Sequence, residues 1–115
     1  MKIDYDLAKD MMIFLEKVLD RKGWYDINMI IKAAPKIPPD ILEYHYYYLY
    51  DCGFIHTSPR FNDYFDDLTP LGHRFVETAS NKGKWEQIKG YILKHPETTL
   101  NLFKEVLEKV LAANQ

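Results

Sequence analysis

The sequence has little of several features that define whole classes of protein. Cys52 is the single cysteine among 115 residues, so no disulfide can form within the chain and no thiol cluster can bind a metal. No apolar run is long enough to span a membrane, and the first residues do not resemble a signal peptide. Basic and acidic residues nearly balance, at 15 against 17, so no overall positive field attracts nucleic acid. We therefore expect a cytoplasmic globular protein with no membrane, metal or cofactor.

Groups that would carry catalysis are also missing. His73 is the residue most easily mistaken for a catalytic one, yet no serine, cysteine or carboxylate stands at a spacing typical of a triad, and we expect a packed histidine bonded to backbone. The acidic pairs 4/6 and 66/67 lack the glycine and the spaced oxygens of a calcium loop. No glycine-rich phosphate loop occurs. We predict that the protein is not an enzyme.

The spacing of apolar residues predicts a mainly helical chain of the α+β class, folded as one domain over residues 1–115. A core at 4–81 is followed by a helical extension at 83–113. Between the third and fourth helices, residues 54–68 predict a two-stranded hairpin around a turn at 59–63. Helices are predicted at about 4–21, 27–34, 39–52, 70–80, 85–95 and 100–111. Asp4 or Asp6 is the expected cap of the first of these helices, and Thr69 is the expected cap of the helix at 70–80.

Tyrosines crowd onto the third predicted helix, which holds five of the nine in the chain, at positions 44, 46, 47, 48 and 50. Helical spacing turns Leu42, Tyr46 and Leu49 toward the core, beside Ile41, His45 and Cys52. The residues left outside or at the edge are Glu43, Tyr44, Tyr47, Tyr48 and Tyr50. Tyrosine gives a large contact area at low entropic cost, so this pattern predicts a docking surface. Burial of the tyrosines beneath the terminal helices stays open as the alternative.

Charge on the same stretch argues against nucleic acid as the partner. A helix that reads DNA needs Arg, Lys, Asn or Gln, and residues 40–53 contain none of them. Residues 38–72 hold six acidic residues and one basic residue, a net charge of -5 that repels phosphates. We predict an acidic, tyrosine-rich partner-binding surface that extends to the tip of the hairpin. Its candidate residues are Glu43, Tyr44, Tyr47, Tyr48, Tyr50, Asp51, Arg60 and Phe61.

The order helix, short helix, helix, hairpin is that of a winged helix. Residues 42–55 resemble the end of a winged-helix third helix that turns through Gly53 into the first strand of the wing. Residues 68–75, with the segment Gly-His-Arg-Phe, resemble the junction that closes the wing. Over roughly residues 3–111, the chain resembles a family of small, functionally uncharacterised winged-helix proteins that are common in phages and prophages.

This resemblance implies a winged helix-turn-helix with a two-stranded wing and C-terminal helices. We expect a phage or prophage accessory protein, a binding module that docks a protein partner such as a host regulator or a host-defence complex. The alternative is a dimeric DNA-binding protein of transcription regulation that uses Lys32, Lys36, Arg60 and Lys84. The apolar stripe of the last helix allows a homodimer, or packing onto the first helix of the same chain.

Overall fold

The structure is a computed structural model that describes residues 2–19, 25–57, 64–95, 105, 108 and 109. Most of these residues are helical. These residues form five helices and three short strands. In chain order they are α1 (Tyr5–Leu19), β1 (Tyr25–Asp26), α2 (Ile27–Ala33), α3 (Pro39–Asp51), β2 (Ile55–Thr57), β3 (Tyr64–Leu68), α4 (Pro70–Ala79) and α5 (Lys82–Lys94). One hydrophobic core receives side chains from all five of these helices. The proposed domain limits stay a prediction.

Helix α1 begins where the sequence places a cap. The Asp4 carboxylate accepts a hydrogen bond from the Leu7 backbone N–H at 3.1 Å, which satisfies one of the free donors at the start of the helix. Apolar residues at intervals of three and four then form one buried stripe along the helix. Its fully covered members are Ala8, Met11, Met12 and Leu15. The predicted cap at Asp4 is confirmed. Of the apolar residues whose spacing predicts this helix, Met11 and Leu15 are buried, whereas Leu7, Phe14 and Val18 are partly buried.

The predicted fold class, a winged helix-turn-helix with a two-stranded wing, is wrong. Strands β2 and β3 pair antiparallel, but β3 is the central strand of a three-stranded sheet because β1 pairs with its other edge. Tyr25 lies opposite Phe65, and Asp26 lies opposite Tyr64. Two residues are too few to show the alternating pattern of a strand, so β1 is not predicted from the sequence. The predicted turn at 59–63 and most of the predicted helix at 100–111 lie outside the described residues.

The end of α3 and the start of α4 meet at one tight junction. Gly53 leaves α3 with a φ of +80°, a conformation that glycine adopts at little cost. The Thr69 hydroxyl donates to the Gly53 carbonyl oxygen and accepts from the Gly72 N–H, so Thr69 is the predicted cap of α4. Buried rings continue the contact: Phe54 stacks on Phe75 at 4.7 Å between ring centroids. The sheet and α4 are thereby fixed to the end of α3.

Helix α5 is held across the first turn of α1. The Trp85 indole N–H donates to the Asp6 carboxylate at 2.8 Å, and the Lys89 ammonium lies 3.1 Å from the same carboxylate. The hydrogen bond from Trp85, aided by Lys89, lowers the pKa of Asp6, and the bond to Asp6 raises the pKa of Lys89. Lys9 lies over the Trp85 ring at 5.8 Å from its centroid. These contacts join residues about eighty positions apart in the chain.

Candidate docking surface on α3

The inner side of α3 packs into the core as its periodicity predicts. The helix starts at Pro39, where a missing N–H costs no hydrogen bond, and Asp40 lies in its first turn. Leu42, His45, Tyr46 and Leu49 are buried, as is Cys52 just after the helix, and Ile41 is partly buried. The prediction that this side faces the core is confirmed. The opposite side is therefore the one that α3 presents to solvent.

Three tyrosines lie on that outer side and leave almost half of their area in water. The exposed fractions are 42% for Tyr44, 47% for Tyr47 and 46% for Tyr50. Their spacing of three residues gives a stripe about 9 Å long along the helix axis. Tyr44 packs edge-on against His45, and Tyr47 packs edge-on against Tyr46. Buried neighbours thus brace two of the exposed rings, which reduces the entropy they would lose on binding.

Carboxylates surround these rings. Asp40, Glu43 and Asp51 are exposed, and none of them forms an ion pair with another residue that the structure describes. Helix α3 carries no lysine or arginine. The outer side of α3 therefore carries three negative charges around three phenol rings, and no lysine or arginine of the same helix neutralises these charges. We call these six residues the acidic tyrosine face: Asp40, Glu43, Tyr44, Tyr47, Tyr50 and Asp51.

Tyr48 lies at the edge of this face rather than on it. Its side chain is partly buried and packs against the core, and it forms a hydrogen bond with the Cys52 side chain. Burial raises the pKa of the Cys52 thiol to about 12, the negative charge of Asp51 acts in the same direction, and the bond from Tyr48 opposes them. The thiol is therefore protonated at neutral pH and unreactive. The predicted packing role of Cys52 is confirmed.

His45 has a structural role that the sequence did not reveal. Its side chain is 1% exposed, its Nδ1 lies 2.8 Å from the Ile41 carbonyl oxygen, and its Nε2 lies 2.9 Å from the Asp4 backbone nitrogen. A carbonyl can only accept and a backbone N–H can only donate, so the ring is neutral with its hydrogen on Nδ1. His45 thereby fixes the start of α1 against the middle of α3. A contact across 41 positions leaves no periodic signal in the sequence.

His73 differs from its expected role. We predicted a packed histidine bonded to backbone, but the side chain is 52% exposed and its Nδ1 lies 3.5 Å from the Glu16 carboxylate. The prediction fails because position 73 follows the buried Gly72 on α4 and is turned away from the core. His73 therefore contributes to a surface contact between α4 and α1.

The remaining candidate residues are scattered or undescribed. Arg60 and Phe61 lie outside the described residues. The cations of the regulator alternative that can be placed are all exposed: Lys32 in α2, Lys36 after it, and Lys84 in the first turn of α5. Within the described part of the chain, no group of His, Cys, Asp and Glu residues is arranged to hold a metal ion. No helix there is long and apolar enough to cross a membrane.

Comparison with known proteins places the chain in a family. Residues 2–98 match the family model DUF2513, which is described as a hypothetical protein. Neither a curated protein nor a solved structure gives a significant match. The family match indicates neither a phage origin nor a winged-helix type. Because it covers most of the sequence, the chain belongs to the DUF2513 family of hypothetical proteins.

Proposed function

We propose that the protein is a non-catalytic binding module whose acidic tyrosine face docks a basic surface on a protein partner. The observation that carries this proposal is the combination of three half-exposed tyrosines, two of them braced by buried neighbours, with three exposed carboxylates on one side of α3. Tyrosine is enriched in the energetic centres of protein interfaces. Carboxylates at the edge of such a patch steer and select a partner of opposite charge.

The shape of the surface favours a protein over a small molecule. Small-molecule sites are concave and enclose most of the ligand. The acidic tyrosine face is instead the convex side of a helix whose three tyrosines project into solvent. A surface of this kind gains contact area only against a second extended surface. A macromolecule is therefore the occupant that fits it.

The charge of the face favours a partner rich in lysine or arginine. Asp40, Glu43 and Asp51 give α3 three negative charges and no positive one. Lysine and arginine side chains bind carboxylates and also stack on the faces of phenol rings. Phosphate groups of nucleic acid would meet repulsion on the same surface. DNA binding through α3 is accordingly the disfavoured alternative.

A finer identity for the partner comes from the sequence resemblance. Residues 42–55 and 68–75 resemble segments of small phage and prophage proteins. On that basis we propose a host regulator or a host-defence complex as the partner. The predicted contributions of Arg60 and Phe61 belong to the same proposal, since these residues lie between the two resembling segments.

The experiment is a selection of short random peptides on the purified chain, followed by binding measurements on variants. Peptides that bind the wild type are tested against Glu43→Lys/Asp51→Lys, which reverses two charges of the acidic tyrosine face. The matched control is Glu77→Lys on α4, an exposed carboxylate of another helix. Labelled mixed-sequence duplex DNA is measured in parallel by fluorescence anisotropy.

We expect the selected peptides to be rich in lysine, arginine and aromatic residues. They should lose at least about tenfold in affinity for the double variant, a loss of roughly 1.4 kcal/mol, and little for Glu77→Lys. Selected peptides that bind all three proteins equally would contradict the proposal. Duplex DNA that binds the wild type in a salt-dependent manner, with no basic peptide selected, would instead favour the regulator alternative.

A further inference from the structure

An apolar groove lies between α1 and α2. Its volume is about 190 Å³. The residues that line it come from α1, from α2, from the residues that follow α2 and, at Leu42, from α3. They include Leu7, Met11, Phe14, Ile30, Ala34 and Ile37. Leu7, Phe14 and Ile37 are only partly buried, so the groove exposes apolar surface to solvent.

We propose that the groove is the docking site of the chain's own C-terminal segment, residues 100–111. Apolar residues recur in this segment at helical spacing, at Leu100, Phe103, Leu107 and Val110. Residues 105, 108 and 109 are the described members of the segment, and they are helical and exposed. Glu105, Glu108 and Lys109 thus form a polar side in water, opposite the apolar positions. An apolar stripe on that opposite side needs a complementary surface.

The connection to the segment is long enough for this docking. The Lys89 ammonium lies 3.1 Å from Asp6, whose neighbour Leu7 lines the end of the groove. From Lys89 to Lys94, helix α5 rises about 8 Å. Residues 95–99 then span up to about 17 Å when extended. Residue 100 can therefore reach the end of the groove that is formed by the first turns of α1.

Charge at the groove fits the polar side of the segment. Lys32 and Lys36 are exposed on the α2 side, next to the lining residues Ala33 and Ile37, whereas Asp10 lines the α1 side. Glu105 and Glu108 supply opposite charges on the segment. Attraction between them would set the segment's orientation more than its affinity.

A second copy of the chain is the less favoured occupant. The apolar stripe covers fewer than two heptads, whereas coiled-coil association needs three or four. Docking within one chain also avoids the loss of translational and rotational freedom that two chains incur on association. The C-terminal segment of the same chain is therefore the occupant that we favour over a second copy.

The test is a double-mutant cycle in the full-length protein, read as the shift in Tm. The variants are Phe14→Ala in the groove, Phe103→Ala in the segment, and both together. Each single change should lower Tm by about 5 to 10 °C, and the double change should lower it by clearly less than the sum, because one contact is lost only once. If Phe14→Ala does not fold, Leu7→Ala at the edge of the groove replaces it.

The matched control is Leu93→Ala combined with Phe103→Ala. Leu93 is a large apolar side chain on α5 that is 68% exposed and lies away from the groove, so its change should add independently. Additive shifts for residues 14 and 103, or coupling of residue 103 with Leu93 instead, would overturn the proposal. A dimeric mass by light scattering that Phe103→Ala returns to a monomer would also overturn it, in favour of a second copy.

Discussion

Close contacts between individual backbone atoms determine how α4 packs against the end of α3. A Cβ atom on Gly72 would lie 2.2 Å from the Phe54 carbonyl oxygen, far inside van der Waals contact. That oxygen also accepts the Thr69 N–H at 3.0 Å, so it cannot move away without loss of a hydrogen bond. Glycine at position 72 is therefore required by a close approach of two backbone segments.

We predict opposite effects of alanine at two helical glycines. Gly72→Ala should lower the free energy of unfolding by about 1 to 3 kcal/mol, because backbone must shift to admit the methyl group. Gly90→Ala should raise it by about 0.5 to 1 kcal/mol, because a Cβ there meets nothing within 4 Å and alanine favours the helix. Urea unfolding measures both values. Changes of the same sign at the two positions would contradict this packing.

At the scale of helices, α1 is the element that the others are built around. His45 holds its start to α3, and Trp85 and Lys89 hold its first turn to α5. Because the Asp6 carboxylate accepts both contacts from α5, its charge state determines how firmly the two helices are joined. The side chain is about half exposed, so water screens much of this attraction.

We predict an acid-dependent contribution from Asp6. The pKa of Asp6 in the folded chain lies below its ordinary value of 3.8. In the pH range between these two pKa values, the unfolded chain binds more protons than the folded chain. The contribution to stability is complete above pH 3.8 and is lost as pH falls through the folded pKa. Asp6→Asn should therefore be less stable than the wild type at pH 6, and the difference should shrink toward pH 2. Parallel stability profiles across that range would contradict the prediction.

The same scale shows why some elements follow from sequence and others do not. Helix α3 was predicted nearly to the residue because proline, glycine and a three-to-four apolar repeat all mark it. Strand β1 was missed because it is only two residues long and because its partners, Tyr64 and Phe65, lie almost forty positions further along the chain. The exposed positions of Tyr44, Tyr47 and Tyr50 followed from helical spacing. The hydrogen bonds of His45 did not, since they depend on how α1 packs against α3.

For the whole molecule, the near balance of charge conceals an uneven distribution. Lys32 on α2, Lys36 just after it and Lys84 on α5 are exposed positive side chains, whereas the charged residues of α3 are all acidic. A net charge of -2 therefore gives no indication of the local field that a partner meets. The proposed partner surface and the lining of the proposed groove share no residue, so each can be tested by its own variants.

The proposed function depends on the binding of a basic protein surface by the tyrosines of α3. The most direct test is the Kd of a selected basic peptide for the triple variant Tyr44→Ala/Tyr47→Ala/Tyr50→Ala, compared with its Kd for the wild type. Since these side chains are nearly half exposed, the variant should fold as the wild type does. The proposed function predicts a Kd raised by about 100-fold or more. An unchanged Kd would contradict it.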